Sequence, residues 1–393
     1  MRLSSSILLF AAVPTVLGDK HYFFSGFFSG SLIAGVEFDD ATNNMTLVNN
    51  ITIQSSTGSK WIAIDVWDRL EPIAWKILTV LGTQAKLICL GNRTVPELLH
   101  HSQPQPRIHA QHNPPSILPK RKLYRRRSHT PIHRLRCPVQ HRLRRTVSVD
   151  STGTLQSILA NITYNGTSGV HGLAISPGAD FVYSADDMGN AVWTHSFSDD
   201  NVTSTAQTLQ YLPAPSGSDP RHLAVHPAGS WAYVVYEAAN EVAVYARDEA
   251  TGLLRDTNAT YALLPEGFTN TSSYWADEVM FSVPPSASSS SSPKYLIAST
   301  RSRTSTSPGY VSAFALSSTG AITEQLFLLP TTASGGGANA VAPASFSEEY
   351  FAITDSAANF IEVWKIDNGG KTAAAVAQLG GFSGGPANVV WVN

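Results

Sequence analysis

The sequence predicts an all-β repeat protein, and the length of its repeat indicates a β-propeller. No long segment repeats apolar residues every three or four positions, and short alternating segments are separated by Gly, Pro and Asn. A unit of three or four such segments recurs about every 50 residues, the length of a propeller blade. The chain has 393 residues, 43% of them hydrophobic, which suffices for one large closed core. A β-sandwich is the alternative, but its repeat is shorter.

The N-terminus has the features of a secretory signal peptide. Arg2 is followed by the apolar run 7–12, and small residues Val16 and Gly18 precede an expected cleavage site. The alternative is a buried first strand, although residues 21–25 already resemble one. The run is too short to span a membrane, so no membrane partner is expected after cleavage. The sequence therefore predicts a signal peptide over residues 1–18, a single secreted domain over 19–393, and an extracellular location.

Glycosylation signals agree with export. Outside residues 67–146, seven Asn-x-Ser/Thr triplets begin at Asn44, Asn50, Asn161, Asn165, Asn201, Asn258 and Asn270. The two cysteines, Cys89 and Cys137, both lie in the atypical segment described next, so the predicted fold does not depend on a disulfide framework.

Residues 67–146 differ in character from the rest of the chain. Twelve of the 27 Lys and Arg residues and seven of the 12 histidines lie between Leu98 and Val149, without any Asp or Glu. Without these basic residues the net charge of −2 would be −14. A polyanion-binding arm, a disordered insertion and a gene-model error are three interpretations. The abrupt break after Asp65 and the return of strand patterning at Val147 favour the third, so we expect no nucleic-acid partner and one incomplete blade.

The repeat is clearest in the second half of the chain. Three copies share an inner segment, a second segment ending in a turn, and a third segment ending in an aromatic residue. They span residues 171–193, 222–245 and 340–364, and a looser copy spans 295–314. A single blade cannot cover its own apolar faces, so neighbouring blades must stack into a ring. The last segment, 388–392, is expected to complete a blade with Tyr22–Phe24 and thereby close the ring.

Several motifs resemble the fungal carboxy-cis,cis-muconate cyclase family. They are His171-Gly-Leu-Ala, Tyr183-Ser-Ala-Asp-Asp-Met-Gly-Asn-Ala-Val-Trp193, Asp219-Pro-Arg-His222, Ala298-Ser-Thr-Arg301, Gly335-Gly-Gly-Ala-Asn339 and the early stretches 21–26 and 36–39. The resemblance covers about 19–65 and 147–393, and residues 67–146 do not match. It implies a seven-bladed, lactonase-like β-propeller.

The resemblance also implies an activity, an isomerase that interconverts carboxy-cis,cis-muconate and its carboxylated lactone without metal or cofactor. By motif, the site residues fall on His171 and Glu237 as catalytic groups and on Arg221 and Arg301 as binding groups for a small polycarboxylate or lactone. Arginine pairs bidentately with carboxylates, and a histidine and a glutamate can share the proton transfers.

An ordinary structural role is the alternative for each of these residues. Glu237 follows the second segment of its repeat, where Asp187 and Asp355 suggest a turn role instead. Arg301 lies beside Arg303 in a position where solvent exposure is equally plausible, and His171 begins a strand like an ordinary core histidine. For His222 and His226 we expect only that ordinary buried role. The alternative function for the whole chain is a non-catalytic secreted propeller that binds a carbohydrate, a peptide or a cell-wall component.

Overall fold

The computed structural model describes residues 18–53, 58–59, 62–64, 76–81, 84–89, 143–149, 155–198, 205–284 and 292–392. These residues form strands and two single turns of 3-10 helix, at Thr271–Ser273 and Asn368–Gly370. Within these ranges there is no helix long and apolar enough to cross a membrane. The predicted signal peptide lies outside the described residues apart from Gly18.

The described strands are numbered in chain order. They are β1 Lys20–Phe27, β2 Leu32–Asp39, β3 Asn44–Thr52, β4 Ile62–Ile64, β5 Lys76–Leu81, β6 Gln84–Cys89, β7 Leu143–Val149, β8 Leu155–Thr163, β9 Val170–Ile175, β10 Phe181–Asp186, β11 Ala191–Ser198, β12 Thr205–Pro213, β13 Pro220–Val225, β14 Trp231–Tyr236, β15 Glu241–Arg247, β16 Leu254–Ala262, β17 Tyr274–Phe281, β18 Tyr295–Ser302, β19 Tyr310–Leu316, β20 Ile322–Pro330, β21 Val341–Pro343, β22 Tyr350–Asp355, β23 Phe360–Asp367, β24 Thr372–Gly380 and β25 Pro386–Val392.

In the described part of the chain these strands form seven antiparallel sheets, which we call blades 1 to 7. Blade 1 has the order β25-β1-β2-β3, and blades 4 to 7 are β9–β12, β13–β16, β17–β20 and β21–β24. Blades 2 and 3 are the three-stranded sheet β4–β6 and the two-stranded sheet β7–β8. The prediction of a seven-bladed propeller is confirmed, and two blades have fewer than four described strands.

The two ends of the chain meet in blade 1. Strand β25 pairs antiparallel with β1, so that Val390 lies opposite Phe24 and Trp391 opposite Phe23. The Phe23 and Trp391 rings pack edge to face with their centroids 4.9 Å apart. Burying one large apolar side chain of this kind contributes about 1.5–3 kcal/mol. The predicted closure of the ring by the C-terminal strand is therefore confirmed.

Asparagines shape the turns between the second and third strands of blades 4, 5 and 7. Asn190, Asn240 and Asn359 adopt positive φ angles of 47°, 57° and 57°, which asparagine tolerates better than most residues. The Asn240 side chain also donates to the Tyr274 carbonyl in blade 6, 3.2 Å away. This turn of blade 5 thus holds the start of β17, the first strand of blade 6.

Segment 67–146 contains described strands. Strand β5 pairs with both β4 and β6, and β7 begins within the segment and pairs with β8. The prediction that strand patterning is absent between Asp65 and Val147 is wrong at these strands, because β5 and β6 are rich in β-branched and other apolar residues. Residues 90–142, which include most of the basic cluster, lie outside the described residues, and the origin of the segment stays a prediction.

Candidate active site

The first strands of blades 4, 5 and 6 are β9, β13 and β17, which pack against one another and are called the inner strands. Each of them carries a β-bulge near its start. The bulge falls at His171 in β9, at Arg221 in β13 and at the pair Asp277–Glu278 in β17. A bulge adds one residue to a strand and re-aims its side chain, which is why bulges are common beside active sites. Neighbouring inner strands therefore present polar side chains at one common register position.

A second register position lies directly beside the first. It is the residue six positions after the start of each second strand, and in blades 4 to 7 it is held by Asp187, Glu237, Arg301 and Ser356. Because the strands are antiparallel, the end of each second strand adjoins the start of the inner strand. The four predicted site residues therefore lie at the same end of blades 4 to 6.

The turn role considered for Glu237 is wrong. Asp355 pairs with Phe360 as Tyr236 pairs with Glu241, so Asp355 corresponds to Tyr236 and not to Glu237. The Asp355 carboxylate accepts hydrogen bonds from backbone nitrogens of its own turn. Glu237 makes different contacts, which are described next.

Glu237 joins two buried arginines. Arg221 Nη1 donates to Glu237 Oε2 at 2.8 Å, and Arg301 Nη2 donates to Glu237 Oε1 at 2.7 Å. The exposed fractions of Arg221, Glu237 and Arg301 are only 8%, 9% and 6%. A buried charge is tolerated when it is paired and hydrogen-bonded, so this contact places three of the four predicted residues in one ion cluster.

Asp277 completes the cluster, and the sequence did not suggest it. Its Oδ1 lies 3.1 Å from Arg221 Nε and 3.7 Å from Arg301 Nε, and its Oδ2 accepts from the Asn339 backbone nitrogen at 2.6 Å. Burial alone would raise the pKa of Asp277, but Arg301 and Arg221 hold that pKa below its ordinary value. Burial would likewise lower the pKa of Arg221, whereas Asp277 and Glu237 raise it. Both groups therefore stay charged.

Arg301 is buried, so the solvent-exposed role considered for it is wrong. Its Nη1 donates to the Gly337 carbonyl at 2.6 Å, and its guanidinium carbon lies 5.0 Å from the centre of the Trp275 ring. Gly337 belongs to the glycine-rich motif 335–339, so this loop supports a side chain of the cluster. Between them, the contacts of Arg301 use both terminal nitrogens.

His171 contacts a second histidine, which follows Arg221 in the chain. His171 Nδ1 lies 2.7 Å from His222 Nε2, and His222 Nδ1 lies 2.6 Å from Glu278 Oε1. His222 is 1% exposed, which agrees with the predicted burial, but it bonds to a site residue and directly follows Arg221. His226 is buried and its Nδ1 accepts from the Ala228 backbone nitrogen, which fits an ordinary core histidine.

Gly172 permits the close approach of the two inner strands. A Cβ atom at this position would lie 2.6 Å from the Arg221 carbonyl oxygen and 2.7 Å from the His222 Cα. Both distances are too short for any side chain. The glycine of the His171-Gly-Leu-Ala motif therefore brings β9 close enough to β13 for the two histidines to meet.

Asp187 is a further candidate, for which the sequence suggested only a turn role. Burial and then the neighbouring Glu237 raise the pKa of Asp187 to about 6, although Arg221 acts in the opposite direction. An alignment of the blades by strand register would have identified Asp187, Asp277 and Glu278 from the sequence. All three occupy the positions of known candidates in a neighbouring blade.

Comparison with known proteins supports this architecture. Residues 151–303 match the family model described as "Lactonase, 7-bladed beta-propeller". The periplasmic gluconolactonase of Pseudomonas aeruginosa superimposes with a TM-score of 0.62 at 15% identity, covering 95% of this chain and 99% of that one. A protein from Lactobacillus plantarum superimposes with a TM-score of 0.59 at 13% identity, covering 95% of this chain and 100% of that one. At such identities the likeness concerns the fold.

Two relatives are similar in sequence. The carboxy-cis,cis-muconate cyclase of Neurospora crassa is 34% identical over 225 residues, which are 56% of this chain and 58% of that protein. Muconate cycloisomerase 1 of Cutaneotrichosporon cutaneum is 29% identical over 205 residues, 50% of each chain. The chain thus spans about half the length of these relatives. The predicted resemblance is confirmed: the chain is a homologue of carboxy-cis,cis-muconate cyclase with the fold of a lactonase-type seven-bladed propeller.

Proposed function

We propose that this protein is a lactonizing cycloisomerase that interconverts a carboxylated muconolactone and carboxy-cis,cis-muconate without a metal or cofactor. One observation carries the proposal, namely that Glu237 holds two buried arginines together beside a histidine pair at one end of three consecutive blades. The similarity to a carboxy-cis,cis-muconate cyclase and to a muconate cycloisomerase supports this substrate class.

The reaction needs a base and a cation at fixed positions. In lactone opening, a base removes a proton alpha to a carbonyl, a carbon–carbon double bond forms, and the ring C–O bond breaks so that its electron pair leaves with a carboxylate. Ring closure reverses each of these events. We assign the proton transfer to His171, which is only partly buried, whereas both Glu237 oxygens already accept hydrogen bonds from arginines.

The two arginines have different roles in this proposal. The contacts of Arg221 with described residues use Nε and Nη1, so Nη2 remains to bind a substrate carboxylate. Arg301 uses both terminal nitrogens for Glu237 and Gly337. Arg221 is therefore the substrate-binding arginine, and Arg301 acts by positioning Glu237.

The test is a spectroscopic assay on the purified protein with the full sequence. The same assay is run on the protein encoded by the sequenced transcript, which establishes whether residues 67–146 are correct. Loss or formation of the conjugated diene changes the ultraviolet absorbance when a carboxymuconolactone or carboxy-cis,cis-muconate is added. We expect turnover without added metal and unchanged turnover in the presence of a chelator. A folded protein that is inactive on every carboxymuconolactone isomer contradicts the proposal and favours a binding propeller.

We further propose that the protein is exported and N-glycosylated. Six of the seven glycosylation signals outside residues 67–146 fall on described residues, and all six asparagines are exposed: Asn44, Asn50, Asn161, Asn165, Asn258 and Asn270. Expression in a fungal host should place the protein in the medium, and enzymatic deglycosylation should lower its mass. Unmodified protein retained inside the cells would refute export.

A further inference from the structure

Three side chains from three consecutive inner strands lie in a row of close polar contacts. Glu278 comes from β17, His222 from β13 and His171 from β9, with contacts of 2.6 Å and 2.7 Å. Glu278 and His222 are buried, whereas His171 at the end of the row is only partly buried. The row therefore leads from the protein interior to the candidate site.

The chemistry of the row restricts where its protons lie. With Glu278 ionised and His222 neutral, the single ring proton of His222 is favoured on Nδ1, which lies 2.6 Å from Glu278 Oε1, because an ionised carboxylate can only accept. In a neutral His222 ring, Nε2 then carries a lone pair and must accept. His171 Nδ1 is therefore the donor of the second bond, and the lone pair of His171 lies on Nε2.

We propose that Glu278 and His222 are positioning residues that fix His171 in the tautomer with its proton on Nδ1. The role of Nε2 as the base that takes the substrate proton rests on the proposed function, whereas the tautomer does not. A carboxylate that orients a histidine in this way is a known device of proton-transfer sites, although here a second histidine stands between the two.

The test uses two substitutions of His222 that differ in bonding capacity. In His222→Gln the amide NH₂ can still donate to Glu278 and the amide oxygen can still accept from His171. In His222→Leu neither bond is possible. A third variant, Glu278→Gln, replaces an acceptor by a group that can accept or donate, so the tautomer of His222 is no longer imposed.

The first readout is the ¹⁵N NMR spectrum of the His171 ring, which distinguishes the two tautomers without any substrate. We expect Nδ1–H in the wild type and in His222→Gln, and a mixture in Glu278→Gln. The second readout is kcat, which should fall roughly 10²-fold in Glu278→Gln with little change in KM, and recover in His222→Gln relative to His222→Leu. His226→Gln, a buried histidine outside the row, is the control.

Opposite results overturn the inference. His171 protonated on Nε2 in the wild type, or an unchanged tautomer in Glu278→Gln, would show that the row does not impose the proton position. If His222→Leu does not fold, Glu278→Gln and His222→Gln still decide. A protein with the expected tautomer and no lactone turnover would refute the proposed function while leaving the positioning role intact.

Discussion

Blades 5 and 7 have the same four-stranded topology but place different chemistry at the same positions. In blade 5 the inner strand carries Arg221 and His222, and the second strand is followed by Glu237. In blade 7 the corresponding positions are Asn339, Ala340 and Ser356.

The contacts of the two blades differ accordingly. Ser356 Oγ accepts from the backbone nitrogens of Gly337 and Ala338 and so holds a loop in place. Glu237, at the same position of blade 5, binds two arginines of two blades. The propeller therefore supplies equivalent positions, and the residue type decides whether a position stabilises a turn or builds a site.

The largest expected effect is the loss of turnover when His171 is replaced. We predict that His171→Asn lowers kcat by roughly 10²–10⁴-fold, because the base for proton transfer is lost. The absorbance assay measures it, with His21→Asn in blade 1 as the matched control. Equal losses in both variants would mean that the effect is one of folding, and an unchanged kcat in His171→Asn would exclude His171 as the base.

Glu237 and Ser356 test the comparison of blades 5 and 7 directly. Glu237→Ala removes one of the two carboxylates that Arg221 and Arg301 share, and we expect the free energy of unfolding to fall by about 3–5 kcal/mol. Ser356→Ala, at the equivalent position, should lower it by only about 1 kcal/mol through lost hydrogen bonds. Denaturant unfolding of both variants measures the difference. Similar losses would mean that the ion cluster is no more important to the fold than a turn.

The Arg221→Lys variant tests the role of Arg221 in substrate binding while a cation stays in the ion cluster. Arg221→Lys keeps a cation beside Glu237 but loses the second terminal nitrogen, so KM should rise about 10-fold, equivalent to about 1.4 kcal/mol. Arg255→Lys, on the exposed outer strand β16, is the control and should leave KM unchanged. A fall in kcat at constant KM would contradict the binding role.

The smallest effect concerns Asp187, which lies at the Glu237 position of blade 4. Its pKa is raised to about 6, so the ionised form is disfavoured in the folded state. This carboxyl therefore reduces stability as the pH rises from about 4 to about 6, and the reduction is complete above that range. Asp187→Asn should melt at the same temperature as the wild type near pH 4 and at a higher temperature near pH 7.

Thermal melts of Asp187→Asn at several pH values check this dependence. Asp180→Asn, which changes an exposed carboxyl of the same blade, is the control. If the two variants behave alike, the pKa of Asp187 is not set by its burial and by Glu237.

Much of the fold followed from local sequence patterns. Alternating apolar residues and the Asn, Gly and Pro between them predicted the strands of blades 4 to 7, and the isolated apolar end predicted the pairing of β25 with β1. These features depend on residues close together in the chain, or on an unpaired strand that must find a partner. The short strands β5 and β6 escaped detection because their surroundings do not alternate.

By itself the sequence determined the repeat, the ring closure and, through its resemblance, His171, Arg221, Glu237 and Arg301 as candidates. Only the tertiary structure decided what these side chains touch. The Arg221–Glu237–Arg301 contact and the Glu278–His222–His171 row both cross between blades. Such contacts depend on β-bulges at matching heights and on the register between neighbouring blades, which are properties of packed strands and leave no pattern along one segment.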